Sequence, residues 1–180
     1  YLVAIDGPCA SGKTVLTQEL RDLLETVYSL KVELIELDHF FLPSYLRNEN
    51  RFAEPGGNIH YERFQQEVID PLLAHSTPKY SVFDCKIMDY AGKIEIKHSD
   101  IILIEGVYSH HPLWHDKLNL RIFCHADIDT RLKRIEERDG QIKLQRFINE
   151  WIPMEDRYFE AFNVKNESDI IFQSGFSRLS

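Results

Sequence analysis

Apolar positions along this chain switch period in alternating blocks. Leu2 to Ile5 is a short continuous apolar run that breaks at Asp6-Gly7-Pro8, which predicts a buried strand entering a loop. From Lys13 the spacing becomes helical, with Leu16, Leu20, Leu23, Leu24 and Val27 on one face. Val32 to Leu37 predicts a second strand, ending at Asp38. Residues 42–59 are polar and rich in Pro, Gly and Asn, as in a loop, and Tyr61, Phe64, Val68, Leu72 and Leu73 then mark another amphipathic helix. Lys79 to Ile87 and Lys93 to Lys97 predict a hairpin turning at Tyr90-Ala91-Gly92. Ile101 to Ile104 is a strongly apolar strand closed by Glu105-Gly106, and Leu120 to Cys124 is a further strand. Ile128 to Glu137 and Gln141 to Trp151 predict helices separated at Gly140, with Pro153 expected to kink or end the second. Asp169 to Phe172 supplies the last strand.

Strands alternating with helices imply a parallel sheet covered on both faces. With no internal repeat, low-complexity tract or linker, residues 1–180 are expected to form a single α/β domain. The chain has 21 Lys and Arg against 29 Asp and Glu, a net charge of -8. That sign argues against nucleic acid and membrane partners, and leaves room for a small phosphorylated ligand in a local positive pocket. Cys9, Cys85 and Cys124 are far apart, without a CxxC pair, so a reducing cytoplasm is the expected compartment. No apolar run is long enough to cross a bilayer.

Gly7-Pro8-Cys9-Ala10-Ser11-Gly12-Lys13-Thr14 fits G-x-x-x-x-G-K-[ST] at every position, between a predicted strand and a predicted helix. The glycines let the backbone curl its N–H groups toward phosphate oxygens, and the helix adds the positive end of its dipole. Lys13 would reach the β and γ phosphates and the Thr14 hydroxyl would face Mg²⁺. Cys9 reads as a small filler rather than a nucleophile.

Ligands of open α/β sheets sit beyond the carboxyl ends of the strands, where this sequence places Asp38 and Glu105. Glu105 fits a metal-holding carboxylate; Asp38 fits either the base for an attacking hydroxyl or a second metal contact. Asp129 to Asp139 holds Arg131, Lys133, Arg134 and Arg138. Arg134 and Arg138, four apart on one helix face, could clamp a transferring phosphoryl group or simply form a solvated, ion-paired face. His110, His111 and His115 are expected in a surface loop and short helix rather than at a metal, and Trp151, Tyr158, Phe159 and Phe162 as packing residues. His39 is expected beside the acceptor or in a structural role.

Several motifs then coincide in order: Gly7–Thr14, Leu37-Asp38-His39-Phe40-Phe41, Ile59-His60-Tyr61, Val82-Phe83-Asp84, Ile104-Glu105-Gly106-Val107, and Asp129-Thr130-Arg131-Leu132 with Arg134 and Arg138-Asp139. Together they resemble the uridine kinase-like family of P-loop kinases, the group that also holds phosphoribulokinases and bacterial pantothenate kinases. The resemblance implies a three-layer fold with a five-stranded parallel core, a β-hairpin over the acceptor site and a short helical lid over about 127–145. It implies ATP and Mg²⁺, with Asp38 as general base, Thr14 and Glu105 at the metal, and Arg134 and Arg138 over the phosphates. His39, His60, Tyr61, Phe83 and Asp84 fall where the acceptor would bind.

The acceptor side departs from the pattern. Uridine-cytidine kinases carry an Asp-His-Pro-Asp run where this chain has Ile59-His60-Tyr61-Glu62. The His and Arg that they place after a Tyr-Asp-Phe motif, matched here by Phe83-Asp84-Cys85, stand as Met88 and Tyr90. One lid arginine is replaced by Ile135. The expected activity is phosphoryl transfer to a hydroxyl of a nucleoside or other ribose- or sugar-like compound. A nucleoside monophosphate kinase, with Arg47 and Arg51 holding the acceptor phosphate, and a regulatory ATP-binding switch are the alternatives. A homo-oligomer is compatible with the sequence.

Overall fold

The computed structural model describes residues 1–175; positions 176–180, the end of the expected domain, lie outside the described residues. Strands β1 (Leu2–Asp6), β2 (Val32–Glu36), β5 (Ile101–Glu105), β6 (Leu120–His125) and β7 (Ile170–Gln173) form one parallel sheet in the order β2-β5-β1-β6-β7. Side chains alternate across it as the pleat requires. Leu2, Ala4, Ile102 and Ile104 join a large core with Phe40, Phe64, Trp114 and Tyr158. Val3, Ile5 and Leu103 face the other way, against Leu16, Leu20 and Leu24 of α1 (Lys13–Thr26). Leu23 and Val27, expected on that same face, are exposed instead; the sheet covers only the narrower stripe set by Leu16, Leu20 and Leu24.

The loop after β2 is more structured than its composition suggests. It holds a 3₁₀ turn at Leu37–Phe40 and a short helix, α2 (Glu49–Ala53), capped by the Asn48 side chain, which accepts from the Arg51 N–H at 2.9 Å. Next come α3 (Tyr61–Phe64), a π-turn at Gln65–Ile69 and α4 (Asp70–Leu73), which together cover the expected helix.

The hairpin comprises β3 (Lys79–Asp84) and β4 (Asp89–Glu95), and its turn is 85–88 rather than Tyr90-Ala91-Gly92. Asp84 closes the turn, its carbonyl accepting from the Met88 N–H at 2.8 Å and its carboxylate from the Lys86 N–H at 2.7 Å. Gly92, at φ +74°, lies opposite a register shift between Ser81 and Phe83. The glycine marks a bulge inside the strand, which left-handed backbone favours as much as a turn does.

Beyond β6, α5 (Ile128–Asp139) and α6 (Gln141–Arg146) meet at Gly140, as expected. Pro153 ends nothing. A π-turn at Phe147–Trp151 widens the backbone just ahead of it, and α7 (Ile152–Ala161) continues with proline in its first turn, where no N–H partner is needed.

Strand register brings three chain segments to one sheet edge: Ile5 and Glu36 both lie level with Glu105. The loop after β1, the turn after β2 and the end of β5 therefore share one site.

Candidate active site

The cradle begins at Gly7. Its φ is +138°, and a Cβ there would stand 2.1 Å from the Cys124 carbonyl oxygen of β6, so only glycine lets the loop leave the sheet. Gly12, at φ +99°, feeds the chain into α1. The first turn of that helix has no side-chain cap and no acidic residue, which leaves its N–H groups aimed outward for an anion. The Lys13 side chain is buried and curls across the loop, its ammonium donating to the Gly7 and Pro8 carbonyls at 2.9 and 3.1 Å. The Thr14 side of the helix is exposed.

A buried ion pair clamps the middle of the loop. Glu155, from α7, accepts the Cys9 N–H at 2.9 Å, and the Arg131 Nε, from α5, donates to the Cys9 carbonyl at 2.9 Å. The two side chains lie 3.5 Å apart and each is 7% exposed. Burial and Glu155 push the Cys9 thiol up to about 12, against the pull of Arg131, so it stays protonated and inert, in keeping with its reading as a filler. Arg134 adds a donor to the Ala10 carbonyl at 3.0 Å. Ser174 donates to the Ser11 carbonyl, and the Cys124 thiol reaches the same oxygen at 3.2 Å.

Asp6 anchors the cradle from below. Fully buried, it accepts from the N–H groups of Gly7 (2.7 Å), Tyr108 (3.2 Å) and His110 (2.9 Å) and from the Tyr158 hydroxyl (2.8 Å). It ties β1, the loop after β5 and α7 into one support. Two of the three histidines are thus not where they were expected: His110 and His111 are buried, and the His110 imidazole approaches the Ala4 carbonyl at 3.2 Å, whereas His115 opens the partly exposed short helix His115–Lys117 as expected. His111 stacks between Tyr61 and Trp114 at centroid distances of 4.9 and 5.0 Å. The fully buried Trp114 draws this segment into the core, while Pro112 stays exposed.

The carboxylates converge with Lys13. Gly106, at φ +140°, would put a Cβ 2.8 Å from the Leu37 Cβ, so the glycine allows the end of β5 to lie against the turn that carries Asp38. Burial raises the Glu105 carboxyl to about 7; Lys13 opposes the shift and Asp38 adds to it. Asp38 is also pushed upward by surrounding protein, against the pull of Lys13, His39 and Arg138. Its side chain still reaches water at the cleft rim, so that push is smaller than for a sealed acid. Two acids competing for one ammonium are the arrangement expected where a proton and a cation are handled.

The remaining residues divide. Arg138 lies close enough to influence Asp38, but its Nε is paired with Asp139 at 2.8 Å on an exposed stretch of α5. His39 pairs with Glu36 at 3.2 Å, which holds the Glu36 carboxyl below its usual range. His60 caps α3 through the Arg63 N–H, and the Tyr61 hydroxyl donates to Glu54 at 2.9 Å. Arg51 is consumed by a two-pronged bond to Glu62, 2.7 Å on each side, and by stacking 3.7 Å over Tyr61. Phe83 packs on Phe41 at 6.1 Å, which lays the hairpin beside the Asp38 turn. The Asp6, Arg131 and Glu155 roles were missed in the sequence; nothing local sets Arg131 or Glu155 apart from the other charged residues of their helices.

No family model matches the chain. Among curated proteins, a uridine kinase of Halobacterium salinarum is 26% identical over 191 residues, covering 97% of this chain and 80% of its own length. A uridine kinase of Staphylococcus aureus is 25% identical over 191 residues, covering 98% and 88%. Among solved structures, one described as a possible uridine kinase from Bacillus stearothermophilus superimposes with a TM-score of 0.75 at 21% identity, covering 95% of this chain and 87% of that one. The chain is thus similar to uridine kinases over nearly its whole length and has the fold of the P-loop kinases.

Proposed function

We propose that the protein is an ATP- and Mg²⁺-dependent kinase that transfers the γ-phosphate of ATP to a hydroxyl of a small molecule. The observation that carries this reading is the convergence of Lys13, Asp38 and Glu105 at the end of an anion-ready loop. Loop amides and the α1 N-terminus hold the β and γ phosphates, and Lys13 turns its ammonium from the Gly7 and Pro8 carbonyls to the phosphate oxygens. Asp38 takes the proton of the acceptor hydroxyl as its oxygen bonds to the γ phosphorus. The bond from that phosphorus to the β–γ bridging oxygen breaks, and ADP leaves with the electron pair.

The donor set fits a hard divalent cation. The Thr14 hydroxyl, Glu105 and Asp38 offer oxygens, and Mg²⁺ is commonly held by one or two carboxylates plus substrate phosphates and water. Among the described residues no three His, Cys, Asp or Glu side chains form a cage of their own. When bound, Mg²⁺ neutralises charge developing between the β and γ phosphates. Arg134, already on the loop, is placed to add positive charge there, and Arg138 would join it by exchanging Asp139 for phosphate.

The monophosphate-kinase alternative is weakened by Arg51, whose guanidinium is spent on Glu62. A pure switch has no need of Asp38 beside Lys13. The test is ADP release from ATP and Mg²⁺ across nucleosides, nucleotides, sugars, hydroxy acids and vitamin precursors, with Lys13→Ala as blank. Stimulation by one acceptor class supports the reading. Hydrolysis at one rate regardless of acceptor supports a switch.

A further inference from the structure

We propose that the hydroxyl acceptor carries an anionic group, a carboxylate or a phosphate, and that Arg47 binds it. This rests on the kinase reading above and narrows its substrate class.

Arg47 is singular among the arginines. Of the buried or half-buried ones among the described residues, Arg21, Arg51, Arg63, Arg121 and Arg131 each face a carboxylate within ion-pair distance. Arg134 lies on the phosphate loop. Arg47 has no such partner, although it is half-buried and the chain is acidic overall. A guanidinium partly withdrawn from water without a counter-ion is unfavourable, which points to a ligand that supplies one.

Its pose is fixed rather than accidental. The Nε donates to the Leu42 carbonyl at 2.8 Å, and the guanidinium lies 5.7 Å from the Phe83 ring and 5.9 Å from the Phe52 ring. Leu42 is itself pinned by its N–H to the Asn58 carbonyl at 3.3 Å, and Ser44 by its N–H to the Met88 carbonyl at 3.2 Å. With Nε occupied, the two terminal nitrogens remain as a planar fork suited to a carboxylate or phosphate.

The location is the acceptor wall. Phe83, under Arg47, also packs on Phe41, which directly follows the turn bearing Asp38. The Cys85 thiol at the hairpin tip feels Asp38, Arg47 and Lys143 together, and Arg47 in turn feels Arg146. Cations of the loop and of α6 thus gather on the rim around the base. Lys143 and Arg146 already face Asp139 and Glu150, at 3.4 and 3.2 Å, so Arg47 is the one of the three that a neutral acceptor would leave unmatched.

The test compares matched acceptors in the ADP-release assay: glycerate, ribose 5-phosphate and fructose 6-phosphate against ribose, fructose, uridine and cytidine. Turnover is expected with at least one anionic compound and to favour it in kcat/KM over the neutral set; whether it is a hydroxy acid or a sugar phosphate identifies the group. Arg47→Gln should raise that acceptor's KM about 10- to 150-fold, the worth of a charge-assisted hydrogen-bonded pair, and leave the KM for ATP unchanged. Arg47→Lys should recover part of the loss, which a merely structural role would not show. Preferred turnover of a neutral acceptor, or an Arg47→Gln enzyme with unaltered acceptor KM, overturns this inference and leaves the kinase reading standing. Hydrolysis unaffected by every compound overturns both.

Discussion

Removing the Glu155 carboxylate should loosen the phosphate loop and the fold together. Glu155 and Arg131 are each 7% exposed, and between them they hold both polar ends of the Cys9 residue, N–H and C=O. Burial pushes the Glu155 carboxyl above its ordinary range, opposed by the Cys9 amide, Lys13 and Arg131. The pair is therefore maintained against a desolvation cost. In Glu155→Ala, Arg131 becomes an uncompensated buried charge and the Cys9 N–H loses its acceptor; breaking such a pair costs about 3–5 kcal/mol. Against a total of about 5–15 kcal/mol for a domain, that is a large share. With a urea dependence of about 2 kcal/mol per molar, the unfolding midpoint should fall by about 1.5–2.5 M. Glu155→Leu combined with Arg131→Met replaces both charges with apolar volume and should cost less than either single change, about 1–3 kcal/mol for the unsatisfied Cys9 groups. Urea unfolding of wild type, both singles and the double completes the cycle. Singles below about 1 kcal/mol, or a double equal to their sum, would refute the clamp.

Other outcomes follow from the same contacts. His111 is held neutral by burial and the nearby Arg51, its pKa lowered to about 4. Because the folded value lies below the unfolded one, its contribution is complete above about pH 6.5 and is lost as pH falls toward 4, about 3 kcal/mol in all. His111→Phe should flatten that part of the stability profile; identical wild-type and variant slopes between those limits would sink the assignment. Gly7→Ala forces a Cβ to within 2.1 Å of the Cys124 oxygen at φ +138°, so a loss of about 3 kcal/mol or more is expected in thermal unfolding. Arg51→Ala breaks its pairing with Glu62 and should lower stability by about 1–3 kcal/mol while the KM for ATP holds; a selective rise in acceptor KM would instead return Arg51 to the acceptor site.

What could be read from the sequence was whatever is local. The Gly7–Thr14 motif, its strand-to-helix context and the strand order imply the cradle, because each depends on neighbours in the chain. Asp38 and Glu105 could be placed at the sheet edge because parallel strands end there, and the register of Glu36 with Glu105 brings them together. The supports were hidden because their partners are remote. Arg131 reaches Cys9 across 122 positions, Glu155 across 146, and Tyr158 reaches Asp6 across 152. Gly92 misled for a different reason, and Pro153 only in part: a bulge uses the same residue as a turn, and ahead of Pro153 the helix is distorted by a π-turn rather than ended, so the pairing around each residue decides. Arg47 and Arg51 were indistinguishable in sequence, since only the fold shows that Glu62 stands opposite one of them.

The most direct test of phosphoryl transfer is to incubate the protein with isotopically γ-labelled ATP, Mg²⁺ and the best acceptor of the panel, and to follow the label in wild type and Asp38→Asn while ATP affinity is measured alongside. Label in an ester of the acceptor with wild type, a loss of about a hundredfold or more with Asp38→Asn, and unchanged ATP affinity are the predicted result. Label released only as inorganic phosphate, or an Asp38→Asn protein that transfers at the wild-type rate, would contradict it.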